Sequence, residues 1–219
     1  MNDTIRFYDQ HAEALAAQYD SLTFRQVHGT WLSELSSIPV GAALDVGAGS
    51  GRDACALHQR GWRVTAVEPA ASLRALGARK ADEICWLDDQ LPALSNLKAA
   101  HHSFGFILLS AVWMHLPEQQ RPEALARLVE LLAPEGMLVI SLRHGPSEPG
   151  RPMYPVSMDE LIRLSAPHGL TVQELVAGER DCLQRNHVYW QTVILRHRKF
   201  VRERSLFPSV GRSGRSSAG

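Results

Sequence analysis

Residues 42–53 constrain the fold of this chain more than any other stretch, and they read AALDVGAGSGRD. A short apolar run carries an acid, Asp45, near its end and leads into glycines at alternate positions, Gly47, Gly49 and Gly51. Glycine reaches positive φ without a Cβ penalty and lets another group approach the backbone closely. A helical pattern follows, so the free N–H groups of that helix would face a ligand lying against the loop. The stretch therefore predicts a strand, a tight ligand-binding loop and a helix.

The spacing of these glycines narrows the choice of ligand. The dinucleotide-binding fingerprint is G-x-G-x-x-G, and here the third glycine comes one residue early. No Lys-Ser or Lys-Thr follows the loop, which excludes a phosphate-binding P-loop. A strand-to-helix turn in some other doubly wound domain remains an alternative interpretation, because short glycine patterns match many proteins by chance.

Composition is that of an ordinary globular protein. The 219 residues suit one domain with a small appended cap, and 45% hydrophobic residues suffice for a sizeable core. The formal net charge is zero, which gives no argument for a nucleic-acid or membrane partner. No apolar run has the length of a membrane span, and the N-terminus carries charges instead of an apolar signal segment. Cys55, Cys85 and Cys182 lack C-x-x-C spacing, so we expect reduced thiols in a cytoplasmic protein.

Apolar runs alternate with helical patterns after the glycine loop begins. Five strands are predicted at residues 42–46, 62–68, 83–87, 104–109 and 137–142, with helices between them at residues 52–60, 71–79 and 117–132. Such alternation indicates βαβ units and a mostly parallel sheet. Residues 134–136 predict a turn before the fifth strand, and Ser157 caps a further helix over residues 157–166. Two consecutive strands at residues 170–176 and 187–195 predict an antiparallel hairpin at the sheet edge.

These elements predict an α/β fold with a doubly wound, mostly parallel seven-stranded sheet and an antiparallel last strand. Helical patterns at residues 3–19 and 23–35 are interpreted as an N-terminal helical cap, so the domains are residues 1–40 and 41–197. Residues 198–219 are rich in arginine. We interpret them as a basic, flexible tail in preference to a nucleic-acid-binding arm.

The pattern D-x-G-x-G-x-G, from Asp45 to Gly51, resembles the first motif of class I S-adenosylmethionine-dependent methyltransferases. Glu68 ends the second predicted strand, where that family places an acid against the ribose. A carboxylate suits this role because it accepts hydrogen bonds from both neighbouring hydroxyls. Asp88 and Asp89 follow the third strand, where the family contacts the adenine, and the choice between them stays open. The resemblance implies a Rossmann-like fold and S-adenosylmethionine as cofactor.

The resemblance also implies which residues would hold that cofactor. The loop would pass close to its methionine part, and Asp45 would bind the ammonium or fix the loop by hydrogen bonds to backbone N–H groups. Because the sulfonium is a cation, acids and carbonyl oxygens suit it better than a phosphate-binding nest does. The implied cofactor contacts are Tyr19, Asp45, Gly47, Ala48, Gly49, Gly51, Glu68, Pro69, Asp88, Asp89 and Ser110.

The methyl acceptor is predicted to lie near the segments that follow the fourth and fifth strands. His115 matches a position often held by histidine in small-molecule members of the family, and its imidazole could take a proton from an acceptor. A histidine that only holds the turn before Pro117 is the alternative. Arg143 could grip an acceptor carboxylate by a bidentate fork. Further acceptor contacts are predicted at Tyr8, Trp113, His144 and Arg185, although a core position explains Trp113 equally well.

The predicted function is methyl transfer from S-adenosylmethionine to an oxygen or nitrogen of a small molecule. No metal site is predicted, because the adjacent His101 and His102 and the other histidines lack a ligand spacing. Three alternatives remain open: a nucleotide-dependent oxidoreductase of related fold, a non-catalytic S-adenosylmethionine-binding protein, and a methyltransferase acting on RNA or protein. A methyltransferase acting on RNA or protein would need a basic surface, and in this sequence only the tail, residues 198–219, is basic.

Overall fold

One seven-stranded sheet organises the protein, which we describe from a computed structural model over residues 3–97 and 103–198. Its strands are β1 (Ala42–Val46), β2 (Arg63–Val67), β3 (Cys85–Leu87), β4 (Phe104–Leu109), β5 (Leu132–His144), β6 (Leu170–Arg180) and β7 (Tyr189–His197). Their spatial order is β3-β2-β1-β4-β5-β7-β6. The strands β1 to β5 pair in parallel, whereas β7 is antiparallel to both β5 and β6. The predicted fold class and the edge hairpin are therefore confirmed.

Helices cover both faces of this sheet. The α-helices of the described residues are α1 (Asp3–Gln10), α2 (Ala12–Asp20), α3 (Phe24–His28), α4 (Leu32–Leu35), α5 (Arg52–His58), α6 (Ala71–Ala78), α7 (Arg121–Leu131) and α8 (Met158–Ser165). Short 3₁₀ turns occupy Trp113–His115, Glu118–Gln120 and Ala166–His168. Within the described ranges, no helix combines the length and the apolar character needed to cross a membrane.

The core forms two layers because successive strand residues point to opposite faces of a sheet. On β4, Ile107 and Leu109 pack in the cluster that contains the apolar side of α7. Phe106 and Leu108 of the same strand pack on the other face, against Trp31 and the α5 helix. Since both faces are buried, the central strands are mostly apolar, as expected for a doubly wound sheet.

The N-terminal helices are shorter than the sequence predicts. The first is broken at His11, whose Nδ1 lies 2.8 Å from the Phe7 carbonyl oxygen and whose ring stacks on the Phe7 ring at 4.3 Å. The backbone of His11, at φ −111° and ψ 18°, leaves the helical region, and α2 begins at the next residue. The predicted helix over residues 23–35 is divided into α3 and α4, because Gly29 and Thr30 are poor helix formers.

The last strands also differ from the prediction. The turn predicted at residues 134–136 is wrong, because β5 begins at Leu132, which pairs with Phe104 across a register shift. This strand includes Pro134, and a proline is tolerated in a strand at such a register shift. Ser157 caps α8 as predicted, accepting the Glu160 N–H at 3.2 Å. Residues 199–219 of the predicted tail lie outside the described part of the chain, as do His101 and His102.

Candidate functional site

A cavity of about 510 Å³ opens at the carboxyl ends of β1, β2, β4 and β5. Ligands of open α/β sheets bind at this edge, where the strand order reverses. Tyr8 of α1 and Tyr19 of α2 line the cavity, so the N-terminal helices cover it.

The glycine loop forms one wall of the cavity, and its backbone is closely packed at Gly47 and Gly51. Gly47, Gly49 and Gly51 have φ values of 70°, 55° and 85°. A Cβ added to Gly47 would lie 2.5 Å from the Val112 side chain, and one added to Gly51 would lie 3.0 Å from the Trp86 ring. The loop therefore depends on glycine for its backbone conformation and for its close packing.

Glu68 lies beside this loop at the end of β2. Its Oε2 accepts the Gly49 N–H and its Oε1 accepts the Ala70 N–H, each at 2.8 Å. Burial raises the pKa of the Glu68 carboxyl above its usual value, although the two backbone N–H groups oppose the shift. Each carboxylate oxygen keeps a further lone pair, so Glu68 can accept more hydrogen bonds than the protein supplies.

Asp45 is a buried acid with an unmet hydrogen-bonding capacity. Its side chain is 1% exposed, and its Oδ2 has no hydrogen-bond partner among the described residues. Burial, with the nearby charge of Asp53, raises the pKa of Asp45 well above its usual value. A buried acid without a cationic partner is a site that a bound cation would stabilise.

Asp53, in the first turn of α5, has partners that Asp45 lacks. His28 Nε2 lies 2.9 Å from its Oδ2, and Arg52 Nε lies 2.7 Å from its Oδ1. Burial opposes ionisation, but His28 and Arg52 outweigh it and lower the pKa of Asp53. We call Asp45, Asp53 and Glu68 the acidic wall of the cavity, which all three line.

His115 is held as a proton acceptor on the cavity surface. Its Nδ1 lies 3.0 Å from the Pro152 carbonyl oxygen, an arrangement that assigns the ring proton to Nδ1. Its Nε2 then accepts a hydrogen bond from the Tyr8 hydroxyl at 3.0 Å, and that hydroxyl accepts one from Arg151 Nη1 at 3.1 Å. Burial chiefly, with the charges of Arg151 and Arg143, lowers the pKa of His115. The imidazole is therefore neutral at neutral pH.

Three arginines form a second wall, which we call the arginine wall. Arg143 is the penultimate residue of β5, Arg151 follows in the next loop, Arg185 lies between β6 and β7, and all three line the cavity. They converge on one carboxylate, that of Glu148. Its Oε1 accepts from Arg143 Nη2 at 3.2 Å and from Arg185 Nη1 at 3.1 Å, and its Oε2 accepts from Arg151 Nε at 3.1 Å.

Most of the residues predicted from the sequence meet in this one cavity. They come from α1 and α2, from the carboxyl ends of β1, β2, β4 and β5, and from the segments that follow β3 and β6. The predicted residues that line it are Tyr8, Tyr19, Asp45, Gly47, Ala48, Gly49, Glu68, Pro69, Asp89, Ser110, His115, Arg143 and Arg185.

The two acids after β3 have different positions. Asp88 is exposed, lies off the cavity, and binds Arg74 Nη2 through its Oδ2 at 3.1 Å. Asp89 is buried and lines the cavity, but its carboxylate accepts backbone N–H groups of its own loop, at residues 90, 95 and 96. Asp89 therefore fixes the loop, and Asp88 faces solvent.

Three further predicted contacts lie away from the cavity surface. Trp113 is fully buried in the apolar core, where the turn after β4 directs its side chain inward. His144 stacks on the Tyr189 ring at 4.6 Å and lines a separate pocket, because it is one residue beyond Arg143 and faces the other side of β5. Gly51 caps α5 behind the loop.

The sequence did not indicate several residues that the structure brings to the site. Arg151 and Glu148 lie in a proline-rich loop without a periodic pattern, and Asp181 lies in the connection between β6 and β7. Asp181 binds Arg185 Nη2 at 2.7 Å and Trp190 Nε1 at 2.8 Å. No sequence pattern marks these residues. Within the described ranges, no group of three or more His, Cys, Asp or Glu is arranged to hold a metal ion.

Comparisons with known proteins agree with this geometry. Residues 44–140 match the family described as a methyltransferase domain. A relative from Staphylococcus carnosus, described as an uncharacterized methyltransferase, is 28% identical over 109 residues, which are 50% of this chain and 50% of the relative. The chain spans 62% of a second such relative, from Oceanobacillus iheyensis, at 26% identity over 63% of its own length. It thus covers half to three-fifths of the length of these curated relatives.

Solved structures show a shared fold. A 1,6-didemethyltoxoflavin-N1-methyltransferase of Burkholderia thailandensis, with bound 1,6-didemethyltoxoflavin and S-adenosylhomocysteine, has a TM-score of 0.60 at 21% identity, covering 86% of this chain and 89% of that one. A TehB-like S-adenosylmethionine-dependent methyltransferase of Corynebacterium glutamicum has a TM-score of 0.63 at 21% identity, covering 86% and 98%. With the domain match and the methyltransferase relatives, these structures show that the chain has the Rossmann-like fold of class I S-adenosylmethionine-dependent methyltransferases and is similar to them in sequence over its central part.

Proposed function

We propose that the cavity binds S-adenosylmethionine and that the protein transfers its methyl group to an oxygen or nitrogen of a small molecule. One observation carries the proposal: an acid with an unpartnered oxygen, Asp45, lies with Glu68 around a loop of positive-φ glycines at the carboxyl ends of β1 and β2. Buried acids favour a cationic ligand, whereas a phosphate-binding loop would offer N–H groups to an anion.

The residues of the acidic wall fit the parts of this cofactor. Glu68 would accept hydrogen bonds from the two ribose hydroxyls with its remaining lone pairs. The free oxygen of Asp45 would accept the ammonium group directly or through water. Gln90 and Leu91 line the cavity beside Asp89, and we propose that this loop contacts the adenine.

The bound cofactor would supply an electrophilic methyl group on its sulfonium. His115 would accept the proton of the acceptor, because its Nε2 is unprotonated and faces the cavity. Tyr8 would yield its hydrogen bond to the acceptor or pass the proton between the two. Holding both reactants in one enclosed cavity supplies the proximity on which such a transfer depends.

A small-molecule acceptor is favoured over RNA or protein, because the cavity lies under α1 and α2 and not on an open basic face. The 1,6-didemethyltoxoflavin bound by the Burkholderia thailandensis relative is an acceptor-sized molecule of this kind. We further propose a cytoplasmic location. The three cysteines all lie in the described part of the chain and form no disulfide, as is usual in that compartment.

Calorimetric titration with S-adenosylmethionine, S-adenosylhomocysteine and NAD tests the proposal. We expect the first two to bind and NAD not to bind. Replacing a charged acceptor costs about 1.5–3 kcal/mol, so Glu68→Gln should weaken binding roughly 10- to 100-fold. Glu123→Gln, on the exposed side of α7, is the matched control. Binding of NAD alone would support the oxidoreductase alternative instead.

A second measurement separates an enzyme from a non-catalytic binding protein. Methyl-labelled S-adenosylmethionine is incubated with the protein in separate reactions that contain pools of small hydroxyl and amine compounds, RNA, or other proteins. Label in a small product supports the proposed transfer. Tight cofactor binding with label in RNA or protein only would contradict the proposed acceptor class.

A further inference from the structure

We propose that the methyl acceptor carries a carboxylate group, which the arginine wall binds through Arg143, Arg151 and Arg185. That the ligand is a methyl acceptor rests on the proposed function. That the ligand carries a carboxylate rests on the charge and the hydrogen bonding of the arginine wall. It assigns the acceptor to a chemical class, organic acids with a nearby hydroxyl or amine.

The wall has more positive than negative charge. Three guanidiniums face two carboxylates, those of Glu148 and Asp181. Each guanidinium contacts at least one of these carboxylates, but three positive charges share two negative ones, which leaves the described residues of the wall with one excess positive charge. Burial and the charge of Arg185 lower the pKa of Arg143, so this guanidinium is poorly compensated where it lies. A bound anion would supply the missing charge.

Arg143 also has an unmet hydrogen-bond donor. The residue is 4% exposed and lines the cavity, and its Nε has no hydrogen-bond partner among the described residues. Its Nη1 donates to the Pro146 carbonyl oxygen at 2.9 Å, and its Nη2 donates to Glu148. A buried N–H without an acceptor is costly, and an oxygen of the acceptor would satisfy it.

Glu148 shows that the three guanidiniums can converge on one carboxylate. It does not line the cavity, and its contacts with the three arginines leave Arg143 Nε without a hydrogen-bond acceptor among the described residues. Guanidinium groups donate directed N–H hydrogen bonds to carboxylate oxygens, so an acid group is a chemically suitable ligand for this wall.

The arginine wall is linked to the proposed base. Arg151 donates to the Tyr8 hydroxyl at 3.1 Å, and Tyr8 donates to His115 at 3.0 Å. A carboxylate on Arg151 would therefore place the rest of the acceptor beside His115. This arrangement favours acceptors in which the acid and the methylated group are separated by a short spacer, such as one ring.

The test is calorimetric binding of two acids and their uncharged amides: benzoate with benzamide, and hexanoate with hexanamide. Titrations use the free protein and the protein with saturating S-adenosylhomocysteine. We expect at least one acid to bind about tenfold or more tightly than its amide, since tenfold corresponds to about 1.4 kcal/mol. Arg185→Gln should abolish this preference, and Arg151→Gln should reduce it.

Arg185 is the main variant because its side chain is 27% exposed, so its replacement should leave the protein folded. Arg79→Gln, on the exposed end of α6, is the matched control and should retain the preference. Equal binding of acid and amide in both pairs, or a preference that survives Arg185→Gln, would overturn the inference. Because the free protein is titrated too, failure of S-adenosylhomocysteine to bind would count against the proposed function alone.

Discussion

The pKa values of carboxyl groups shift in opposite directions in the acidic wall and the arginine wall of the cavity. Burial raises the pKa of Asp45 and Glu68 in the acidic wall. In the arginine wall burial acts in the same direction, but the arginines outweigh it, lowering the pKa of Glu148 and bringing that of Asp181 to about 2. One wall therefore has acids without enough cations, and the other has cations without enough acids.

The comparison teaches how one enclosed cavity can hold two ligands of unlike charge. The acidic wall suits the sulfonium and ammonium groups of the proposed cofactor. The arginine wall suits the proposed acid group of the acceptor. Asp53 is the exception within the acidic wall, because His28 and Arg52 neutralise it locally and leave Asp45 unpaired.

The largest expected effect comes from Gly47→Ala in the loop that carries the acidic wall. The positive φ costs about 1–2 kcal/mol in a residue with a Cβ, and overpacking costs about 1–3 kcal/mol. The new Cβ would lie 2.5 Å from the Val112 side chain. We expect the free energy of unfolding to fall by about 2–5 kcal/mol, and S-adenosylhomocysteine binding to be lost. Denaturant titration and calorimetry measure the two effects.

Gly41→Ala is the matched control, because no atom lies within 4 Å of the added Cβ and φ is not positive there. It should retain stability and binding. In the Gly47→Ala protein, benzoate binding by the arginine wall should persist below the unfolding transition. Unchanged S-adenosylhomocysteine binding in Gly47→Ala would contradict the proposal that this loop binds the cofactor.

The second prediction concerns the pH dependence of stability. The native pKa of Asp45 is raised, so its effect on stability is most favourable below the unfolded value of about 4 and is lost as the pH rises above it. The native pKa of Asp181 is about 2, so its stabilising effect is present above about pH 4 and is lost as the pH falls toward 2.

Urea denaturation of wild type, Asp45→Asn and Asp181→Asn at several pH values measures both effects. Stability relative to the Asn variant should fall with rising pH for Asp45 and rise with rising pH for Asp181. Asp82→Asn, in an exposed turn, controls for the loss of one surface charge. If stability relative to the Asn variant changed with pH in the same direction for Asp45 and Asp181, the contrast between the two walls would be contradicted.

The smallest expected effect is on His115, which lies between the walls. Nitrogen NMR of the imidazole should show the proton on Nδ1 and a pKa below the usual value of about 6.5. Arg151→Gln removes a nearby positive charge and should raise that pKa, whereas Arg79→Gln should not. A proton on Nε2 would contradict the proposed role as base.

The acidic wall was largely predictable from the sequence. Asp45 and the loop glycines lie within one short stretch, and Glu68 ends the next strand, so strand-end positions bring them together. The side-chain partners were not predictable. Asp88 and Asp89 are adjacent, and only the folded loop shows that one faces solvent and the other binds backbone N–H groups.

The arginine wall was only half predicted, because its members are far apart in the chain. Arg143 lies near the end of a strand and was identified on that ground. Arg151 lies in a loop without periodicity, and its contact with Tyr8 spans 143 residues. Glu148, which joins the three arginines, gave no signal at all. Contacts of this kind depend on tertiary packing, which local patterns do not encode.

The most direct test of the two-wall account is a crossed titration. S-adenosylhomocysteine and benzoate are each titrated into wild type, Glu68→Gln and Arg185→Gln. We predict that Glu68→Gln weakens binding of S-adenosylhomocysteine roughly 10- to 100-fold and leaves benzoate unchanged. Arg185→Gln should weaken only benzoate. The account is contradicted if either substitution weakens binding of both ligands equally. It is also contradicted if Glu68→Gln weakens benzoate binding and Arg185→Gln weakens S-adenosylhomocysteine binding, because the cavity would then not be divided by charge.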